Sequence, residues 1–482
     1  MIFNSFDFLF FFAAFFILYW FVFIKNLKFQ NLLLLAGSYF FYAWWDWRFL
    51  SLLITSSALS FILGIQIEKT QNEKHQRYLV FTGIFVGIGT LLFFKYFNFF
   101  VDTTTNIFSI FGIQLKLATL QLILPLGISF YTFRSISYLL DVESEKIEAT
   151  KDWVVFFSYI SFFPSLLSGP IDRAGLLIPQ LQNPRTFKYT EASEGMSQIL
   201  WGLFKKLVIA DNCASITQLI FENYTQYSSS SLLLGTFFYT IQVYADFSGY
   251  SDMAIGFARL IGFRITQNFN YPFFAQNIAE HWQRWHISLT SWMTEYVYTP
   301  LNFKFRSLRN KGIIISIIIN FVLVGLWHGA NWTFVVFGLL NGCYFIPLIL
   351  GGSLNKKRII ANDKLLPSFK EITNMGLTFS TVMLTAIVFG SKNMTDAFGY
   401  YIKMCSFSIF TLPPDLKSQI MLLLLIIMMF SFEWMSRAEP YGLVYFKKKF
   451  GRVGRWCLYA GLLFTIGMYM QTNETAFLYF KF

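Results

Sequence analysis

Long apolar runs decide what this chain can become. Met421–Phe430 and Gly312–Trp327 contain no charged side chain, and about 20 such residues cross a bilayer core as a helix. Spans are therefore expected at roughly 3–24, 30–46, 48–67, 78–101, 120–140, 153–169, 232–250, 313–327 with 332–350, 372–390, 416–436 and 454–471, with a half-hydrophobic helix at about 192–210. A closed β-barrel needs alternation, which runs like Met421–Phe430 lack. Backbone in lipid must satisfy its own hydrogen bonds, so the fold class is all-α, a polytopic membrane protein of roughly ten to twelve helices. Hydrophobic residues make up 55% of the 482 and charged ones 13%, against about a quarter in soluble domains. No polar stretch is long enough for a second domain. The expected organisation is one domain, with N-terminal helices over about 1–115, a core over 116–350 and C-terminal helices over 351–482.

The formal net charge of +12 reads as topology rather than as a nucleic-acid footprint. Lys25 and Lys28, then Lys69, Lys74 and Arg77, fall on loops of one parity. Lys356, Lys357 and Arg358, and the run Arg437, Lys447, Lys448, Lys449, Arg452 and Arg455, mark later loops on the same side. The intervening loops are poorer, with Arg48, Lys116, Lys392, Lys403 and Lys417. The positive-inside rule then puts both termini outside. The first run lacks a basic leader and a small-residue cleavage site, so it is expected to remain as a span. Cysteines at 213, 343, 405 and 457 form no CxxC pair, and no metal site is expected.

Several segments are not simple spans. Pro125 and Gly127 interrupt one, and Pro164, Gly169 and Pro170 another; residues 171–191 and 275–311 mix polar and apolar side chains. Irregular backbone survives at membrane depth only inside protein or beside water, which points to re-entrant segments or a central funnel rather than to kinked spans.

Ionisable groups within apolar sequence are the functional candidates. His75 lies in a charged loop and reads as solvated. His328 lies in Gly325-Leu326-Trp327-His328-Gly329-Ala330-Asn331-Trp332, between two apolar runs, toward the outer half of the membrane. Trp327, Asn331 and Trp332 are expected to wall a pocket and orient its imidazole; the alternative is a structural histidine at a helix junction. His281 and His286 lie in Glu280-His281-Trp282-Gln283-Arg284-Trp285-His286. On one helix they would point roughly 140° apart and share no site. His281 then reads as part of an interfacial amphipathic helix with Arg284 snorkelling, and His286 as either that or a site residue. Trp282, Trp285 and Asp246 complete the candidates for holding substrate. Asp246 and Asp252 flank Gly249, expected to break the helical register; Asp252 reads as a helix cap. Lys95 and Arg134 also lie in apolar runs, without evident partners. No Walker loop, GxGxxG or GxSxG motif occurs. An embedded acyl transfer suits this set, as does a transporter with a histidine relay.

Asp246–Ile255 (DFSGYSDMAI), Asn268–Phe274 (NFNYPFF), Arg284–Leu289 (RWHISL) and Gly325–Trp332 (GLWHGANW) resemble the membrane-bound O-acyltransferase family, in its AlgI-like, polysaccharide-acetylating branch. Pro125–Phe130 and Phe162–Ile171 fit the same pattern. The resemblance implies about eleven helices around a funnel, with His328 and His286 as catalytic positions. It further implies acetyl-CoA or another thioester as donor and no bound cofactor. The acceptor would be an extracytoplasmic polysaccharide, or a partner acetyltransferase that modifies it, at a bacterial cytoplasmic membrane; protein, lipid and teichoic-acid acceptors are the alternatives. The chain departs from the branch at Thr294-Glu295, where Arg-Asp is usual, and at Asn302-Phe303, where two glycines are usual. These changes bear on acceptor or partner more than on reaction class.

Overall fold

A computed structural model describes residues 1–115, 118–120, 122–354, 365–414, 416–471 and 477–478. Every regular element among them is helical. Among the described residues, six helices are long and apolar enough to cross a membrane: Arg48–Lys69, Glu73–Ile110, Asn310–His328, Trp332–Leu350, Phe369–Gly390 and Leu416–Met435. Phe6–Val22 is a shorter apolar helix. Glu73–Ile110 has 38 residues, roughly 57 Å at 1.5 Å per residue, and so outruns a hydrocarbon core of about 30 Å. Lys116, Lys356, Lys357 and Arg358, used above for orientation, lie outside the described residues.

The chain forms two compact units, Met1–Met196 with Ala254–Thr266, and Ser197–Met253 with Gln267–Phe482. Their bounds cut across the three segments expected from the sequence.

The first unit is built on phenylalanine. Phe257 meets Phe8 and Phe12 at 4.8 Å, and Phe163 meets Phe15 at 5.3 Å. Two expected spans are corrected here. Helix is confined to Ile128–Glu143 in the stretch 120–140, because Pro125 and the left-handed Gly127 precede it. The stretch 153–169 divides into Trp153–Ile160 and Phe163–Leu166. The break exposes carbonyls that an intact helix would satisfy. Fully buried Arg134 answers them: its guanidinium donates to the carbonyls of Tyr159, Ile160, Ser165 and Pro170. Asp172 lies 4.0 Å away and accepts from the Thr266 N–H at 2.8 Å. The intramembrane arginine thus holds irregular backbone in place.

In the second unit, Asn310–His328 and Trp332–Cys343 form an antiparallel pair. Glycine makes their close crossing possible. A Cβ on Gly325 would lie 2.1 Å from the Phe334 carbonyl oxygen, and one on Gly338 2.3 Å from that of Phe321. A second crossing joins Tyr189–Leu203 to the long helix Ser229–Leu260, where Gly202 and Gly249 each meet the other's carbonyl oxygen. Gly249 therefore lies within a continuous helix; it admits a neighbour and does not break the register.

Candidate active site

His328 is the last residue of the helix Asn310–His328, and Gly329 turns away in extended conformation. The imidazole is 4% exposed. Trp327 stands at 4.8 Å, Phe389 meets the ring edge-on at 5.0 Å, and Phe337 does so at 5.9 Å. His328, His281, Trp282, Trp285 and Phe389 line a cavity of about 50 Å³, room for a water or a small acyl group.

His281 is a correction. It is 3% exposed and not interfacial, because Ile278–Arg284 packs inward. Its ring stacks on Trp285 at 5.5 Å. Its Nδ1 lies 3.1 Å from the Pro272 carbonyl oxygen. A carbonyl only accepts, so Nδ1 carries the proton and the neutral ring keeps Nε2 as an acceptor. Trp282 donates from Nε1 to Asn341 Oδ1 at 3.1 Å, which fixes the indole in the wall. Arg284 does not snorkel: it pairs with Glu280 at 2.9 Å and donates to the Asn270 carbonyl.

His286 breaks the helix on which its position was reasoned. The first helix ends at Arg284, Trp285 is extended, and His286 is left-handed at φ 42°, ψ 53° before Ile287–Met293 begins. A non-glycine residue there costs of order 1–3 kcal/mol unless its surroundings enforce it. Asn268 supplies that enforcement. Its carbonyl accepts from the Ile287 N–H at 2.9 Å, and its Oδ1 accepts from the Ser288 N–H at 3.2 Å. Asn270 donates its N–H to the Arg284 carbonyl. The NFNYPFF segment is thus the clamp on the RWHISL segment. His286 is 1% exposed and meets Phe247 at 4.6 Å and Trp327 at 5.5 Å. Trp327 touches both His286 and His328, while His281 shares the His328 cavity.

Four candidates are placed differently from expectation. Asn331 caps Trp332–Cys343, accepting from the Thr333 N–H, and its Nδ2 donates to the Lys392 carbonyl at 2.7 Å. Trp332 is 52% exposed and does not line the cavity beside His328. Asp246 is committed to Lys206 at 2.8 Å and to the Leu478 N–H at 2.7 Å. Asp252 is no cap: it lies within Ser229–Leu260, paired with Lys205 at 2.7 Å and with Gln198. Lys206 also meets Asp211 at 2.8 Å, and Tyr244 donates to Glu433. The π-helical turn Phe204–Ala210, just past the Gly202 crossing, carries both lysines. Sequence reasoning passed over Lys205 and Lys206. The available signal was two adjacent cations in the apolar run 199–210, each needing an acidic partner at depth. Among the described residues, no group of three or more His, Cys, Asp or Glu side chains could hold a metal.

Residues 40–351 match MBOAT, the membrane-bound O-acyltransferase family. The probable alginate O-acetylase AlgI of Azotobacter vinelandii is 38% identical over 87% of this chain and 81% of its own length. The peptidoglycan O-acetyltransferase of Helicobacter pylori is 33% identical over 77% of this chain and 73% of its own. The teichoic acid D-alanyltransferase of Bacillus subtilis is 28% identical over 56% of this chain and 70% of its own.

Proposed function

The chain belongs to the membrane-bound O-acyltransferase family and is a multi-pass membrane O-acyltransferase; from this we propose that it moves an acetyl group from a cytoplasmic thioester, acetyl-CoA, to a hydroxyl outside the membrane. The acceptor is an extracytoplasmic polysaccharide, reached directly or through a partner acetyltransferase, and the setting is a bacterial cytoplasmic membrane with both termini outside. The observation that carries this reading is His328, buried at a helix end in the wall of a small cavity shared with His281.

In this mechanism His328 takes the proton of the acceptor hydroxyl as its oxygen attacks the thioester carbonyl. A C–O bond forms, the tetrahedral intermediate collapses, and the C–S bond breaks. The proton passes from His328 to the departing thiolate. Trp327 holds His328 and His286 in register. Trp282, anchored by Asn341, shapes the wall against the acyl group. His281, an acceptor at Nε2, accepts from a neighbouring hydroxyl of the incoming acceptor, since the reacting hydroxyl gives its single proton to His328. The restricted volume favours a two-carbon acyl group over a long chain.

Membrane vesicles of defined orientation test the sidedness. Inverted vesicles that expose the cytoplasmic face and enclose acceptor glycan should label that glycan from external labelled acetyl-CoA. Right-side-out vesicles given the same donor outside should not. Equal labelling in both orientations would contradict the reading.

A further inference from the structure

The first unit holds a recess of its own, of about 420 Å³. Arg185, Lys188, Glu191, Arg259 and Arg264 lie in its wall, and none of them lines the histidine cavity. The loop 183–188 and the turn after Leu260 form it. Gln180, just before the loop, ties it to the turn: its Oε1 accepts from the Arg264 N–H at 2.8 Å, and its Nε2 donates to the Arg264 carbonyl at 2.9 Å. A helix end presents bare carbonyls, which disfavour an anion. Here those carbonyls are answered. Trp20 donates from Nε1 to the Leu260 carbonyl at 2.9 Å. Gly262 is left-handed, and past it the Phe263 N–H reaches the Ala258 carbonyl at 2.8 Å. What the wall leaves open is positive charge.

Arg185 shows this most plainly. It is 7% exposed. Its guanidinium donates to the Gln180 carbonyl, to Gln30 Oε1 and to Asn31 Oδ1, and lies over the Phe263 ring at 4.9 Å. Every one of these partners is neutral. Among the described residues no carboxylate pairs with Arg185 or with Lys188, whereas Arg264 pairs with Glu191 and Arg259 with Glu194. A buried cation without a counter-ion is costly, and an anion in the recess removes that cost. Four cations and one carboxylate give the wall a formal charge of +3, which Glu194, outside the wall, lowers only to +2.

The rim chooses between anions. Phe187 is exposed and packs edge-on against Trp20 at 5.5 Å and Phe16 at 6.2 Å. Phe21 and Val22, which follow Trp20, are exposed as well. Hydrocarbon chains can lie on this apolar surface while their phosphate enters among the cations; a soluble phosphate makes no use of it. The loop with Lys25 and Lys28 follows within a few residues. In the proposed orientation that loop meets the cytoplasmic leaflet, which presents anionic headgroups.

We propose that this recess binds the phosphodiester headgroup of an anionic phospholipid. The proposal goes beyond acyl transfer and needs neither donor nor acceptor.

Native mass spectrometry of the full-length protein, released from detergent, tests it with phosphatidylglycerol, phosphatidylcholine and coenzyme A as probes. Phosphatidylglycerol should bind, phosphatidylcholine should bind about tenfold more weakly or less, and excess coenzyme A should not displace the lipid. Lys188→Gln combined with Arg264→Gln, both at the exposed rim, should weaken phosphatidylglycerol about thirtyfold, the worth of two cations near a headgroup. Lys25→Gln combined with Lys28→Gln removes the same charge outside the recess and should leave the affinity unchanged. Equal binding of the two lipids, an unaltered affinity in the Lys188 and Arg264 variant, or an equal loss in the Lys25 and Lys28 variant would overturn the proposal. Displacement by coenzyme A would overturn it too, because the phosphates of a soluble nucleotide would then own the recess.

Discussion

His328 owes its position to its neighbours as much as to its helix. Trp327, Phe337 and Phe389 enclose it, and the chain leaves the helix at Gly329 in extended conformation. The lysines behind the site show the same dependence on partners. Lys206→Met would leave Asp246 and Asp211 facing each other without their cation. Breaking a buried pair from one side costs about 3–5 kcal/mol. The variant should lose most of its yield of folded protein, with a lower thermal midpoint in detergent, and Lys206→Met with Asp246→Asn should recover part of it. An unchanged midpoint in the single variant would remove the structural role. At this scale the sequence was informative where a residue was costly in itself. His328 stood out because an imidazole between apolar runs demands a reason. His281 did not, because its burial depends on the Pro272 carbonyl nine residues away and on an inward-packed short helix.

At the scale of elements, two glycine crossings set the geometry, and each brings a chemical group with it. Gly325 and Gly338 let the His328 helix approach its partner. Gly338→Val should drive the pair apart, displace His328, and cost one to two orders of magnitude in activity, about what a 1 Å misplacement costs. The protein should still insert in the membrane. Full activity in that variant would show that the crossing does not position the site. The helices themselves were legible from apolar periodicity and length. Their interruptions were legible only in part. Pro125 and Pro164 announced breaks, but the left-handed turn at His286 carries no glycine or proline. It is imposed by Asn268 and Asn270, eighteen and sixteen residues earlier, whose bonds are tertiary.

At the scale of the whole molecule, the central issue is which face of the membrane each end of the site meets. Cys405 is exposed just past the helix Met394–Met404, on a segment that lies outside in the proposed orientation. A membrane-impermeant maleimide should label Cys405 on intact cells, whereas a cysteine at Ser307, among Lys304, Arg306, Arg309 and Lys311, should react only after the cells are opened. The reverse pattern would invert the assigned orientation and, with it, the sides of donor and acceptor. The positions where the chain departs from its branch lie mostly on the surface. Thr294, Glu295 and Phe303 are exposed, so they alter the surface and leave the cavity chemistry alone.

The most direct test of the central claim is acetyl transfer by the purified protein and by His328→Ala, measured with labelled acetyl-CoA and an oligosaccharide acceptor. The two proteins should have matching elution volumes and thermal midpoints. Loss of a general base typically costs about 10²–10⁴-fold in rate, and a drop of that size in the variant is the predicted result. Undiminished transfer by a folded His328→Ala protein would contradict the account.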